Sequence, residues 1–213
     1  MPCCEDTEEP EETTEETTEE TTEETTEETT KKPSKSSDPV SSDKFNDFSA
    51  MNYYVNGNKY TVGETTINEM IADGVEFNDY NIADITNTLD ADTQLFESFS
   101  IDLADYVSMR FMVANYSSET MEVGDCPIVS FTFQYTEEMK EGYVSFNFPI
   151  PFTEEDLLNS AGEGDDYFEY DGGDYMLHQY TYEIPGEKYY GYTSFEYSFK
   201  DGELYEISMD YTP

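Results

Sequence analysis

Tryptophan is absent from the 213 residues, histidine occurs once, cysteine three times, and only nine lysines and arginines stand against 50 aspartates and glutamates. Each scarcity excludes something. Phosphate recognition requires clustered basic side chains, so nucleic acid is excluded as a partner. An anionic membrane surface repels the body for the same reason. The one histidine, His178, lies in YMLHQYTY, with no neighbouring Ser or Cys in sequence to act as its nucleophile; it reads as a strand surface or edge residue. With one histidine and one cysteine (Cys126) in the body, zinc has too few good ligands. Cys126 reads as a small buried apolar residue, and no framework of paired cysteines exists. There is no apolar run long enough to span a bilayer and no secretory h-region. That leaves a cytosolic chain, or one that starts at or near a processing site, and the second is the expectation here.

What is present is strongly ordered along the chain. Residues 11–30 are five copies of EETT, directly after Cys3-Cys4 and a short acidic stretch. Residues 31–43, KKPSKSSDPVSSD, continue as a Ser/Pro/Lys linker. Such a composition cannot bury enough apolar surface to offset its ordering entropy, so residues 1–44 are expected to be a disordered tether. All 19 tyrosines and 12 of the 14 phenylalanines follow residue 50, so the folded part, beginning near Phe45 to Met51, has an aromatic core. Residues 51–213 carry 33 acids against five bases (Lys59, Arg110, Lys140, Lys188 and Lys200).

Within the body, Asn56-Gly57 between alternating runs predicts a hairpin. Thr66 caps a short helix whose N3 residue is Glu69, with Ile67, Met70 and Ile71 as its apolar stripe and Gly74 as its stop. VEF (75–77) reads as a short strand or extended exit, and 78–93 as a long connection. Runs at 96–103, 107–116 and 126–135 read as strands, the last with Val129, Phe131, Phe133 and Tyr135 on one face. After an extended 143–150, Thr153 caps a second helix with Asp156 at N3, Leu157 and Leu158 as the apolar pair and Gly162 as the stop. Strands follow at 167–170 and 175–184, then a hairpin over 193–211 turned at Asp201-Gly202, with Tyr205, Ile207, Met209 and Tyr211 alternating in its return strand. The expected fold is α+β: an antiparallel sheet with short helices on one face, built as a degenerate tandem duplication. Its units are 45–139 and 140–213, packed as one body.

The strings VNGNKYTVGETTINEMIADGVEF, VANYSSETMEVGDCPIVSF and FTEEDLLNSAGEGDDYFEYD resemble surface lipoproteins of gut-type Firmicutes. Their domains are similar to the tandem units of β-lactamase inhibitor protein and to the single BamE-like unit. The likeness covers roughly residues 52–211 and rests on caps, turns and strand ends. It implies helices packed on an antiparallel sheet and a non-enzymatic role. The inhibitor's contact residues have no match here, so β-lactamase binding is not implied. A cysteine followed by a Thr/Glu spacer resembles the mature start of a bacterial lipoprotein, which makes Cys3 or Cys4 the candidate lipid attachment. The preceding Met1-Pro2 departs from a lipobox.

The candidate partner-binding residues are Tyr180, Tyr182, Tyr189, Tyr190 and Tyr192, because tyrosine brings large contact area at low entropic cost. The acids of 162–174 give weak calcium candidates in Asp165, Asp166, Asp171 and Asp174, whose spacing does not follow a twelve-residue calcium loop. Paired carboxylates for glycoside hydrolysis are always found among 33 acids and carry no information. The expected function is a non-enzymatic module, lipid-anchored on the extracellular face of the cell membrane, for a protein partner with a basic surface. No cofactor is expected. The alternatives are an envelope glycan- or peptide-sensing module, against which the missing tryptophan counts, a calcium-dependent binder, or a small hydrolase lacking a nucleophile–base pair.

Overall fold

Asn56 and Gly57 both take positive φ, 51° and 84°, as a two-residue hairpin loop requires, and join β1 (Asn52–Val55) to β2 (Asn58–Thr61). The computed structural model describes residues 44–78 and 84–213. The expectations for Cys3, Cys4 and the EETT tether lie outside the described residues. All those described belong to a single compact unit.

Helix α1 (Ile67–Ala72) begins at Thr66, whose hydroxyl accepts from the Glu69 amide while the Glu69 carboxylate accepts from the Thr66 amide. Helix α2 (Glu154–Ala161) opens the same way with Thr153 and Asp156. Each box satisfies two of the four amides that a helix start leaves unpaired. In both helices the residue four after the threonine, Met70 and Leu157, is fully buried, and Gly74 and Gly162 follow the ends with positive φ.

The rest is antiparallel strand. Among the described residues, β4 (Thr93–Ala104), β5 (Val107–Asn115), β7 (Ile128–Gln134), β9 (Asp166–Asp171), β10 (Met176–Pro185), β11 (Tyr192–Lys200) and β12 (Glu203–Asp210) form one sheet. Its order is β4-β5-β7-β12-β11-β10-β9. A smaller sheet orders β2-β1-β8, with β8 at Val144–Phe146, and β3 (Thr88–Leu89) pairs with β6 (Met121–Glu122). The fold is thus dominated by antiparallel sheet with two short helices among the described residues. The 45–139 and 140–213 segments meet where β7 pairs with β12 and where β1 pairs with β8.

Period-two alternation aims Phe99, Ile101, Met109, Phe111, Phe131, Phe133, Tyr197, Phe199, Ile207 and Met209 into one core. Tyr53 of β1 packs on Phe131 at 4.7 Å between ring centroids, so the small sheet covers the large one there. Phe45 sits among Phe148 and Phe152, at 4.8 and 4.9 Å, and its carbonyl accepts the Tyr197 hydroxyl. Burying that ring contributes roughly 2–3 kcal/mol and fixes the start of the body.

One local expectation narrows and two change. VEF (75–77) is an extended exit and not a strand, and Val75 and Phe77 are buried in the core. The 78–93 connection contains β3. The register of β12 slips opposite Ser198 and Phe199 of β11, so Phe199 faces Leu204 and Tyr205 is the extra residue. That bulge turns Leu204, and not Tyr205, into the core.

Candidate binding surface

The five candidate tyrosines divide by the strand face they occupy. Tyr180 and Tyr182 alternate inward on β10 and are 8% and 3% exposed, which corrects their assignment to a recognition surface. The Tyr180 hydroxyl donates to Glu154, and that of Tyr182 to the Gly162 carbonyl at 2.7 Å; both tie β10 to helix α2 and its end. Burial and the Glu154 carboxylate hold the Tyr180 phenol well above its ordinary range.

Tyr189 is half-buried and structural. Its hydroxyl donates to Asp92 Oδ1 at 2.6 Å, its ring lies 4.7 Å from that of Tyr116, and Lys188 Nζ stands 4.6 Å above it. Lys188 also pairs with Asp92 at 3.6 Å. The hydrogen bond from Tyr189, with help from Lys188, lowers the Asp92 carboxyl. Only Tyr190, fully exposed, and Tyr192, 51% exposed, stay at the surface.

The acids of 162–174 do not converge. Asp165 Oδ2 accepts from the Glu183 amide at 3.0 Å, Asp166 Oδ1 from the Tyr167 amide at 2.9 Å, and Asp171 Oδ1 from the Gly173 amide at 2.8 Å. No group of three metal-ligating side chains occurs among the described residues. Asp166 and Asp171 thus serve their own backbone turns and Asp165 reaches across to β10, and the calcium candidates Asp165, Asp166, Asp171 and Asp174 form no such group among the described residues. Cys126 is buried, its thiol donating to the Glu122 carbonyl at 3.3 Å and pushed up to about 11 by burial and by Asp125. A thiol so raised is almost wholly protonated at neutral pH and a poor nucleophile.

His178 is a bridge. Its Nδ1 lies 2.9 and 3.1 Å from the two Glu154 oxygens on α2, and its Nε2 lies 3.9 Å from Glu169 on β9. Tyr167 donates to the same Glu169 at 2.9 Å and packs against Tyr180 at 5.0 Å. Burial, then that carboxylate, pushes the Tyr167 phenol up to about 12. The cluster joins imidazole, carboxylates and phenols, and its mechanical effect is to hold β9 against the sheet.

Strand β9 is where the surface departs from the rest of the molecule. Every one of its residues is exposed, and Tyr167, Phe168 and Tyr170 keep 46%, 51% and 49% of their area in water. The sequence carried a signal for this: in DYFEYD, adjacent aromatics fall on opposite faces, so neither face is selected for burial. Close by, a recess of about 270 Å³ is walled by Phe48, Tyr182 and Ile184 and rimmed by Glu163, Asp165 and Glu183. Asn46, buried, also lines it, and its Oδ1 has no hydrogen-bond partner among the described residues. The polar side chains of this rim are carboxylates, which accept and do not donate. No family profile, curated protein or solved structure matches this chain.

Proposed function

We propose that the chain is a non-catalytic binding module for a protein partner with a basic surface, held at the outer face of the cell membrane by acylation of Cys3 or Cys4. The observation that carries the binding reading is the row of half-exposed rings on β9, Tyr167, Phe168 and Tyr170, on a body with 33 acids against five bases. Strands β5 and β7 bury their aromatics, whereas β9 leaves three in water at a hydrophobic cost. Aromatic anchors within a field of one sign suit a partner of the opposite sign. The acidic rim beside β10 suits the same donors.

The tether reading rests on the order Cys3-Cys4, Glu/Thr spacer, globular body, and on the resemblance to surface lipoproteins. The same reading takes residues 45–139 and 140–213 as two α+β units of one duplicated plan, each with a helix on the inner face of its strands. The parallel capping boxes at Thr66 and Thr153, and a sheet that joins the halves at β7 and β12, support it.

The test is retention of envelope proteins on the immobilised full chain at low salt, with the Phe168→Ser/Tyr170→Ser double variant as control. The reading expects a basic protein that elutes as salt rises and is not retained by the double variant. Retention of a glycan alone, or of a protein indifferent to both salt and variant, overturns it. For the anchor, labelled palmitate should enter the parent chain and not a Cys3→Ser/Cys4→Ser variant.

A further inference from the structure

The two ends of the large sheet are treated differently. At β4 the edge is closed: the Asn78 amide donates to the Ser100 carbonyl at 2.9 Å, and its side-chain nitrogen reaches Ser100 Oγ and Asp102 Oδ1, both at 3.0 Å. Register breaks between Thr93 and Glu97 and between Asp102 and Ala104 distort that strand further. Bulges and covering segments are the usual protection of a sheet edge. At β9 neither device is present among the described residues. The strand pairs with β10 over six consecutive residues without a register break, and no strand lies beyond it among the described residues.

The free side of β9 can be assigned from its pairing. The Gly172 amide donates to the Tyr175 carbonyl at 2.9 Å, which marks that pair as hydrogen-bonded. Antiparallel ladders alternate, so Tyr170, Phe168 and Asp166 turn their backbone groups toward β10. Tyr167, Glu169 and Asp171 therefore turn theirs outward. Tyr167 N–H is taken by the Asp166 carboxylate, which leaves the Glu169 and Asp171 amides, and the three carbonyls, turned outward with no strand beside them among the described residues.

We propose that β9 receives an added antiparallel or parallel strand from a basic partner, an extended segment with Lys or Arg among apolar residues; this rests on the basic-partner reading above. The main-chain groups of Glu169 and Asp171 supply the pairing. Phe168 and Tyr170 on one face, and Tyr167 on the other, receive the alternate side chains of the added strand. The carboxylates Asp166, Glu169 and Asp171, flanked by Asp165 and Asp174, select its charge. A second copy of this chain fits badly. Antiparallel pairing of β9 on itself through its outward groups centres on Glu169 and sets the two Glu169 carboxylates opposite each other, and like charges directly opposite are destabilising. The edge is also ready-made, because Glu169 is held by Tyr167 and lies beside His178, so little ordering remains to oppose strand addition.

The experiment uses the full chain and three synthetic peptides. One alternates Lys and Val, one alternates Glu and Val, and one is the Lys/Val peptide with backbone N-methyl groups on alternate residues. Binding is read by fluorescence anisotropy, and amide hydrogen exchange is followed at Glu169 and Asp171. The expected result is binding of the Lys/Val peptide alone, with slowed exchange at both amides and affinity reduced at least about tenfold by N-methylation. Glu169→Pro, which removes an outward donor where an edge strand tolerates proline, should give a similar loss. Should that variant fail to fold by circular dichroism, the N-methylated peptide still decides. Equal binding of the N-methylated peptide overturns strand addition and leaves the basic-partner reading standing. Equal binding of the Glu/Val peptide, or binding of neither, overturns the basic-partner reading itself. A dimer of the free chain that dissociates on Glu169→Pro assigns the edge to a second copy and overturns the proposal.

Discussion

Asn115 ends β5 fully buried, and its side-chain nitrogen reaches the carbonyls of Leu89, Asp90 and Glu119 at 2.9, 3.0 and 2.7 Å. Its Oδ1 accepts from the Ser117 amide at 3.0 Å. One side chain thus satisfies the backbone of two loops that meet at the end of the sheet. Asn115→Ala leaves carbonyls in the interior without donors, and should cost about 2–3 kcal/mol in urea unfolding. A loss within experimental error would mean that water replaces the amide. Glycines make a second comparison. Gly57 and Gly63 share nearly the same φ, 84° and 87°, yet a Cβ at Gly57 meets nothing, whereas one at Gly63 stands 2.7 Å from the Tyr211 ring. Gly57→Ala should therefore cost only the conformational term, about 1 kcal/mol. Gly63→Ala should cost roughly 1–3 kcal/mol more through overpacking. Equal midpoints for the two variants would show that Tyr211 moves aside freely.

At the level of elements, the two capping threonines are the cleanest test of local coding. Thr66→Ala and Thr153→Ala each remove an acceptor from an N3 amide and should each lower stability by ~1 kcal/mol, measured as a shift in urea midpoint. These boxes were legible because the signal is entirely local: a threonine, an acid three residues on, and an apolar residue one further. The hairpin turns at Asn56-Gly57 and Asp201-Gly202 were legible for the same reason, since φ > 0 restricts which residues can stand there. The bulge at Tyr205 was not. Nothing in ELYEISMDY distinguishes a strand that alternates throughout from one that slips by a residue, because the slip is decided by how β11 and β12 fill a shared core. Sequence also could not rank the tyrosines. Tyr180 and Tyr182 look like Tyr190 and Tyr192 in composition, and only the register of β10 with β9 and β11 turns the first pair inward. β9 itself was read as a strand, but its place at the end of the sheet depends on long-range pairing, which carries no local signature.

Across the whole molecule, charge sets how stability and binding respond to solution. On the open face of the large sheet, Glu196, Glu206 and Asp210 are partly buried, and that burial holds each carboxyl above its ordinary value. Mutual repulsion raises Glu196 further through Asp210 and Glu206, while Arg110 partly offsets the shift at Glu206. The folded state therefore binds protons more tightly than the unfolded chain at these three sites. Between the ordinary carboxylate range and the raised values, stability falls as pH rises. Asp156 and Asp92 act in the opposite sense. Hydrogen bonds from Thr153 and from Tyr189 lower them, so their contribution is present above the ordinary range and is lost as pH falls through their depressed values. The thermal midpoint should accordingly rise as pH falls from neutral toward the ordinary carboxylate range and fall again in stronger acid. Glu196→Gln should raise the midpoint at neutral pH and flatten the descent toward it, whereas an unchanged profile would place the repulsion elsewhere. Salt separates this self-repulsion from partner attraction. Screening over a Debye length of ~8 Å relieves the excess of acids within the fold and weakens attraction to a basic partner. Adding salt should thus raise the melting temperature of the free chain while lowering its affinity for the Lys/Val peptide. If both quantities move in the same direction, the charge of the body does not govern recognition at β9.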